Sequence, residues 1–326
     1  MIKNKIHILR YLFSFLISLI ILLFLIFCGD VNRFIKVLSQ VSVNSVIIMV
    51  IVYALSWIFR TIRLERTVTS LGSKMPFKNL FKLNISGYAL NVLLPVKIGD
   101  VARMLFLKAE GMEGDKAIAS VIYIRLLDII SIIMLATPVL FIMTKESIPN
   151  WAIISVISCI LIIVLIFVFL GIGKMQHLFD IIEAKFTLKV TKGLLRVGKE
   201  VHWNLRNLLF KSSVYCDMFY SILIWLSEAL TCYVVALGLN AQVSPLLIIF
   251  GVSMANISKI VPATPGGIGI YEGIIVGIFA IGGIEYNKAL VIAIVDHLIK
   301  NLFIISIGIP AISTTNLKLT NLLTAR

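Results

Sequence analysis

The sequence has little charge, few cysteines and none of the common catalytic motifs. Charged residues make up 14% of its 326 residues and hydrophobic residues 60%, whereas soluble domains contain about 25% charged residues. The four cysteines all lie in apolar runs without paired spacing, so we expect buried thiols rather than disulfides or metal ligands. H-E-x-x-H, G-x-S-x-G and Walker sequences are absent. We therefore expect neither a soluble enzyme nor a bound metal or cofactor.

Long apolar runs dominate the chain instead. A membrane-crossing helix needs about 20 apolar residues, and six runs meet this requirement. Three shorter runs suit half-helices or re-entrant arms: Phe81–Leu94, Pro245–Val261 and Ile268–Ile284. We predict an all-α polytopic membrane protein with about six full spans plus two re-entrant or broken-helix hairpins, about eight membrane segments in all. The predicted spans are Tyr11–Cys28, Ser42–Phe59, Ala117–Met143, Trp151–Gly171, Val214–Leu237 and Ala289–Pro310.

Lysine and arginine are distributed unevenly among the loops, and this asymmetry predicts orientation. They cluster before the first span, in the loop 60–82 and in the segment 173–212, and they are sparse in the other loops. The N-terminus is therefore predicted in the cytoplasm, and six crossings return the C-terminus there. Because this rule also accounts for the net charge of +14, we expect no nucleic-acid partner.

Two polar, helix-breaking segments interrupt the apolar pattern. The sequence VPATPGGIGIYE (Val261–Glu272) holds two prolines, Pro262 and Pro265, and three glycines, and LPVKIGD (Leu94–Asp100) is a shorter counterpart. Irregular backbone survives at membrane depth only when it is buried in protein or lines a wet cavity. Both segments, called here the first break (Leu94–Asp100) and the second break (Val261–Glu272), are therefore predicted to face a site.

The two halves of the chain repeat the order span, break and charged span within a single integral membrane domain, 1–326. The halves cover about 42–143 and about 214–310, and an amphipathic basic linker, about 173–212, is expected along the inner leaflet. Because the halves begin on opposite sides of the membrane, the repeat would be inverted, as in many transporters with a site at discontinuous helices. The alternative is that two kinked regions arose without symmetry.

Several ionisable residues fall within the predicted spans, where a charge is costly and is a functional candidate by default. Arg125 and Asp128 lie three residues apart on one helical face, and Asp296 and Lys300 lie four apart. Glu228 is the only charge deep within its span. These residues could contact a substrate, or each pair could neutralise itself and hold helices together.

The breaks also suggest an anion site. Glycines that precede a helix leave backbone N–H groups free at its partially positive N-terminus, which suits phosphate or carboxylate. The first break adds Lys97 and Arg103 beside the predicted helix Val101–Lys108. We therefore predict that the two breaks together form an anion site reached from the membrane.

At these motifs the sequence resembles a known family. N-x3-P-x-K-x-G-D-x2-R (residues 91–103) and VPATPGGIGIYEG (Val261–Gly273) resemble the two signatures of the lysylphosphatidylglycerol synthase transmembrane-region family, a flippase-like domain. The resemblance covers nearly the whole chain in length, span order and motif order. Lys97 stands where this family suggests Arg, and Asp100 where it suggests Glu. Lys97 keeps the charge but lacks the bidentate phosphate geometry of arginine.

The resemblance implies an integral inner-membrane protein of about eight membrane segments. In fused members of that family the domain moves aminoacylated phospholipid between leaflets, while a separate soluble domain synthesises the lipid. The sequence contains no such synthase domain, so we expect a stand-alone member that is a transporter rather than an enzyme. Relatives are also joined to, or found beside, glycosyltransferases, which implies a polyprenyl-phosphate sugar as another candidate lipid.

Our hypothesis is a lipid translocase that moves a phospholipid or polyprenyl-phosphate-linked lipid, with the headgroup held at the two breaks near the midplane. The alternatives are a non-transporting membrane subunit that organises a lipid- or glycan-modifying enzyme, and, less favoured, an intramembrane transferase. The expected partners are a membrane lipid and such a synthase or glycosyltransferase; oligomerisation is left open. The predicted substrate-binding residues are Asn91, Lys97, Asp100, Arg103, Arg125, Asp128, Glu228, Pro265, Gly266, Gly267, Gly269, Glu272, Asp296 and Lys300.

Overall fold

The computed structural model describes residues 2–94, 97–142, 150–171, 175–185, 188–259 and 264–314. In this part of the chain all regular structure is helical, with a short 3₁₀ turn at Pro265–Gly267. The α-helices are α1 (Ile2–Cys28), α2 (Val31–Leu38), α3 (Val43–Ser70), α4 (Phe77–Leu93), α5 (Ile98–Ala109), α6 (Gly114–Ile142), α7 (Asn150–Gly171), α8 (Met175–Lys185), α9 (Lys189–Leu209), α10 (Ser213–Gly238), α11 (Pro245–Ser258), α12 (Ile270–Ile281) and α13 (Tyr286–Ser313).

The predicted all-helical polytopic class is confirmed. Five described helices, α3, α6, α7, α10 and α13, are long and apolar enough to cross a membrane. The part of α1 from Phe15 onward forms a sixth candidate together with α2, at a bend of 99°. These helices coincide with the six predicted spans. The amphipathic helix α2 was not predicted; Asp30 caps its N-terminus, and Phe34 and Val37 are its buried residues.

Helix α3 extends well beyond its predicted end at Phe59. Arg60 and Arg63, which the sequence assigned to a cytoplasmic loop, are only 4% and 1% exposed within this helix. That assignment was wrong because the apolar run stops at the first arginine, whereas the helix continues along a buried stripe to Val68. This stripe packs against α10, which supplies polar partners for both arginines.

Each break separates two short helices that pack against each other. At the first break Lys97 adopts a left-handed conformation, with φ of 53°, immediately before α5. Helix α5 then folds back so closely on α4 that a Cβ on Gly99 would collide with the carbonyl oxygen of Gly87. At the second break Gly266 and Gly269 have φ of 62° and 87°, which favour glycine. Pro95 and Pro262 lie outside the described residues.

Packing between the halves brings the two breaks together. Helix α3 packs against α10, α4 against α13 and α11 against α6, so the short helices of each half lie on a long helix of the other. The end of α4 touches the 3₁₀ turn, where Val92 lies beside Gly266. The two breaks therefore meet inside the protein and are not separated by a bundle of helices.

The predicted linker forms α8 and α9, which pack against each other, while α9 also packs against α6. Its apolar stripe is buried only in the C-terminal part of α9, at Leu205 and Leu208. Leu194 and Val197 remain exposed next to basic side chains. This is the pattern expected of a helix whose apolar face rests on a leaflet.

Candidate functional site: a charged cavity between the two breaks

A cavity of about 270 Å³ lies where the breaks meet. Its wall combines side chains from the long helices α3, α6, α10 and α13 with residues of both breaks. Ligand pockets typically measure about 300–1,000 Å³, so this cavity is of a size that suits a small polar group. Its charged side chains are Arg60, Lys97, Asp100, Arg125, Asp128, Glu228, Lys259 and Lys300.

Asp100 organises the first-break side of the cavity. Arg125 donates two hydrogen bonds to its carboxylate, from Nη2 to Oδ1 at 2.6 Å and from Nε to Oδ2 at 2.9 Å. Arg103 and Asn91 each donate to Oδ1 at 2.9 Å. Bidentate, charge-assisted bonds of this kind are strong and fix geometry. The carboxylate therefore joins the start of α5 to α4 and α6.

The spacing of Arg125 and Asp128 predicted a pair within one helix, but Asp128 lies nearer to an arginine of another helix. Its Oδ1 lies 2.8 Å from Arg63 Nη1, and its Oδ2 lies 3.8 Å from Arg125 Nη1. Both are ion-pair contacts rather than aligned hydrogen bonds. The predicted Arg125–Asp128 pair is thus weak, since each residue has its nearer partner on another element.

Glu228 organises the second-break side. Its Oε1 accepts a hydrogen bond from Arg60 Nη2 at 2.6 Å, and its Oε2 lies 2.9 Å from Lys300 Nζ. Lys300 also donates to Asp296 Oδ2 at 2.9 Å, as its i,i+4 spacing predicts. Asp296 is fully buried and accepts two further bonds, from Tyr271 and Thr231. The carboxylate with no partner in its own helix is therefore paired with two cations from other helices.

An aromatic ring connects the two sides of the cavity. The guanidinium carbons of Arg60, Arg103 and Arg125 lie 5.3, 5.0 and 5.2 Å from the centre of the Tyr88 ring. Cation–π contacts at this range stabilise desolvated guanidinium groups. Tyr88 therefore contacts three arginines that come from α3, α5 and α6.

The second break has fewer free backbone N–H groups than its glycines suggested. Gly269 N–H donates to Glu272 Oε2 at 2.6 Å, and the N–H groups of Gly267 and Ile268 donate within the 3₁₀ turn. The other Glu272 oxygen lies 2.7 Å from Nδ1 of His297. The carboxylate of Glu272 therefore takes up one N–H group at the start of α12, and an anion site there stays a prediction.

His297 fastens the second break to α13. Its Nε2 lies 3.1 Å from the carbonyl oxygen of Gly266. Its Nδ1 lies 2.7 Å from Oε1 of Glu272, so the ring bridges the 3₁₀ turn and the start of α12. The ring is stacked on Tyr271 at 4.4 Å.

Two lysines in the wall have no ion pair with a described carboxylate. Lys97 belongs to the first break, and Lys259 directly precedes the second. The stem of Lys259 lies over Gly267, and its Nζ is 4.2 Å from the Tyr271 ring centre. Both side chains are half-buried. Each break thus brings to the cavity one lysine that is outside the described ion pairs.

The structure gathers most of the predicted site residues around this cavity. Those in its wall are Asn91, Lys97, Asp100, Arg125, Asp128, Glu228, Gly266, Gly267 and Lys300. The remaining five, Arg103, Pro265, Gly269, Glu272 and Asp296, lie behind the wall, where the three charged residues bond other charged or polar side chains. Whether the wall residues bind a substrate stays a prediction.

Sequence reasoning missed three charged residues near the cavity. Arg60 and Arg63 were counted as loop charges because they follow an apolar run. Lys259 was not considered, although a lysine between an apolar run and a Pro-Gly segment is itself unusual. Its position next to the second break could have identified it as a candidate site residue.

The family model for the lysylphosphatidylglycerol synthase TM region matches residues 11–308. The chain belongs to this family. As a family member with several long apolar helices, it is an integral membrane protein. A UPF0104 membrane protein of Pyrococcus horikoshii is 24% identical over 87% of this chain and 91% of its own length. A UPF0104 membrane protein of Methanocaldococcus jannaschii is 28% identical over 67% of this chain and 91% of its own length.

A third relative is similar over a shorter stretch of the chain. The glycosyltransferase AglD of Haloferax volcanii is 33% identical over 105 residues, which cover 31% of this chain and 17% of that protein. The match is therefore to a small part of AglD.

Proposed function

We propose that the protein is a lipid translocase that passes a phosphate-bearing headgroup through the cavity while the acyl or prenyl chains stay in the bilayer. The observation that carries the proposal is that both breaks line one charged cavity among membrane-spanning helices. Charges at this depth are costly, and they mark substrate paths in membrane proteins. Discontinuous helices that meet at a site are typical of transporters.

The packing of the two halves against each other supports an inverted repeat. In each half a long helix is followed by two short helices and a second long helix, and each half packs its first short helix on the other half's last long helix. Such a repeat would let one half rock against the other around the headgroup. With the basic loops inside, both termini lie in the cytoplasm in this proposal.

The test is lipid movement in liposomes. Purified protein is reconstituted with a trace of fluorescent phospholipid or labelled polyprenyl phosphate, and accessibility of the label to an external quencher is followed with and without an imposed ion gradient. The proposal expects movement faster than in empty liposomes for at least one lipid. No movement of any lipid under any gradient would rule it out.

A second candidate is a membrane subunit that organises a glycan-modifying enzyme. The similarity to part of a relative named glycosyltransferase AglD favours it. A subunit of this kind would leave lipids static in liposomes, and substitutions in the cavity wall would act only through folding or partner binding. Liposome movement therefore separates the two candidates.

A further inference from the structure

The charges in the cavity wall are not balanced. Five lysines and arginines line the wall, against three carboxylates, Asp100, Asp128 and Glu228. Each carboxylate already lies within ion-pair distance of arginine or lysine. All three carboxylates are therefore in ion pairs, although neither oxygen of Asp128 accepts a hydrogen bond from a described residue. The wall carries two more cations than carboxylates, and this excess favours an anionic ligand.

Several hydrogen-bond donors in the wall have no partner among the described residues. Lys97 and Lys259 make no ion pair with a described carboxylate, and the ammonium group of each has three donor positions. The hydroxyl of Thr264 and the indole N–H of Trp225, both in the wall, have no hydrogen-bond partner among the described residues. A buried donor without a partner is costly, so these donors favour a ligand that supplies acceptor oxygens.

We propose that the cavity selects lipids with a terminal phosphate monoester, and that Lys97 and Lys259 bind the phosphate from opposite sides. A monoester carries about −1.5 to −2 charge near neutral pH and three acceptor oxygens, which suit two ammonium groups that make no described ion pair. A phosphodiester such as phosphatidylglycerol has one charge, and an aminoacylated headgroup adds a cation for which no carboxylate in the wall is free. The inference rests on the proposed translocase and narrows its substrate class.

The lipid with this chemistry could be phosphatidic acid or a polyprenyl monophosphate. Both present the same monoester to the lysines, and they differ only in their chains, which the cavity does not enclose. Comparing them shows whether the chain also contributes to binding.

Binding of single lipids to the purified full-length protein, measured by native mass spectrometry, tests the inference without requiring transport. We expect phosphatidic acid and polyprenyl monophosphate to bind at least about tenfold more tightly than phosphatidylglycerol, and more tightly still than phosphatidylcholine or lysylphosphatidylglycerol. Equal affinity for all of them, or preference for the aminoacylated lipid, would overturn the inference. Displacement of phosphatidic acid by equimolar inorganic phosphate would also overturn it, since the site would then serve a soluble ion.

The lysines are tested with matched variants. K97Q and K259Q should each weaken monoester binding about tenfold, while K97R and K259R, which keep the charge, should largely retain it. K108Q removes an exposed lysine from α5 and should change nothing. Loss of binding in K108Q equal to that in K97Q would contradict a specific site.

If monoesters bind as expected but no lipid moves in liposomes, the proposed function fails and the site stands. If other lipids move and monoesters are not preferred, the inference fails alone.

Discussion

Glu228 balances two buried cations, and its replacement by glutamine should destabilise the protein by about 3 kcal/mol. Removing one partner of a buried ion pair typically costs about 3–5 kcal/mol, because the other charge is left without compensation. The lower end applies here because both cations keep other contacts. Arg60 lies 5.3–5.6 Å from the ring centres of Trp57, Tyr88 and Trp225, and Lys300 keeps its bond to Asp296.

The assay is equilibrium unfolding of the purified protein in mild detergent, followed by circular dichroism as SDS is added. Glu200→Gln, at an exposed position on α9, is the matched control and should change the free energy of unfolding by less than about 0.5 kcal/mol. The double variant E228Q/K300M removes one of the two uncompensated cations, so its cost should be less than the sum of the single variants. If E228Q costs no more than E200Q, or if the double variant is simply additive, the network around Glu228 does not exist as described.

Three further substitutions test separate parts of the structure by the same unfolding titration. Gly99→Ala should destabilise the protein by about 1–3 kcal/mol, because its Cβ would meet the Gly87 carbonyl. The control Gly114→Ala should be neutral, since a Cβ there meets open space. Asp217→Asn removes the acceptor of Arg66 and Tyr123 and should cost about 1–3 kcal/mol. Because Asp217 is outside the cavity wall, lipid affinity should not change. An altered lipid preference would contradict this placement of Asp217. Glu272→Ala removes the bonds to Gly269 and His297 and should cost about 1–3 kcal/mol; an unchanged stability would mean that Glu272 does not cap α12.

Apolar run length predicted the helices that can cross a membrane, and proline and glycine predicted the two breaks. Bilayer thickness sets the length of a crossing helix, and proline and glycine mark irregular backbone, so both signals are local in sequence. The end of α3 was not predictable in this way, because Arg60 and Arg63 are accommodated inside the protein by α10, far away in the chain.

Ion pairing was predictable only where both partners are on the same helix. The Asp296–Lys300 pair follows from i,i+4 spacing, but Arg125 pairs with Asp100 and Glu228 with Arg60 across helices. Those contacts depend on how α3, α5, α6 and α10 pack, which spacing does not encode. The same is true of Lys259, whose importance appears only when the two breaks are seen to share a cavity.

Lipid movement by reconstituted protein is the direct test of the proposed translocase. Liposomes containing labelled phosphatidic acid or polyprenyl monophosphate are compared for the wild type, K108Q and the double variant K97Q/K259Q. We predict rapid movement with the wild type and K108Q and at least about tenfold slower movement with the double variant. Wild-type liposomes that behave like empty ones with every lipid, or a double variant as fast as the wild type, would contradict it.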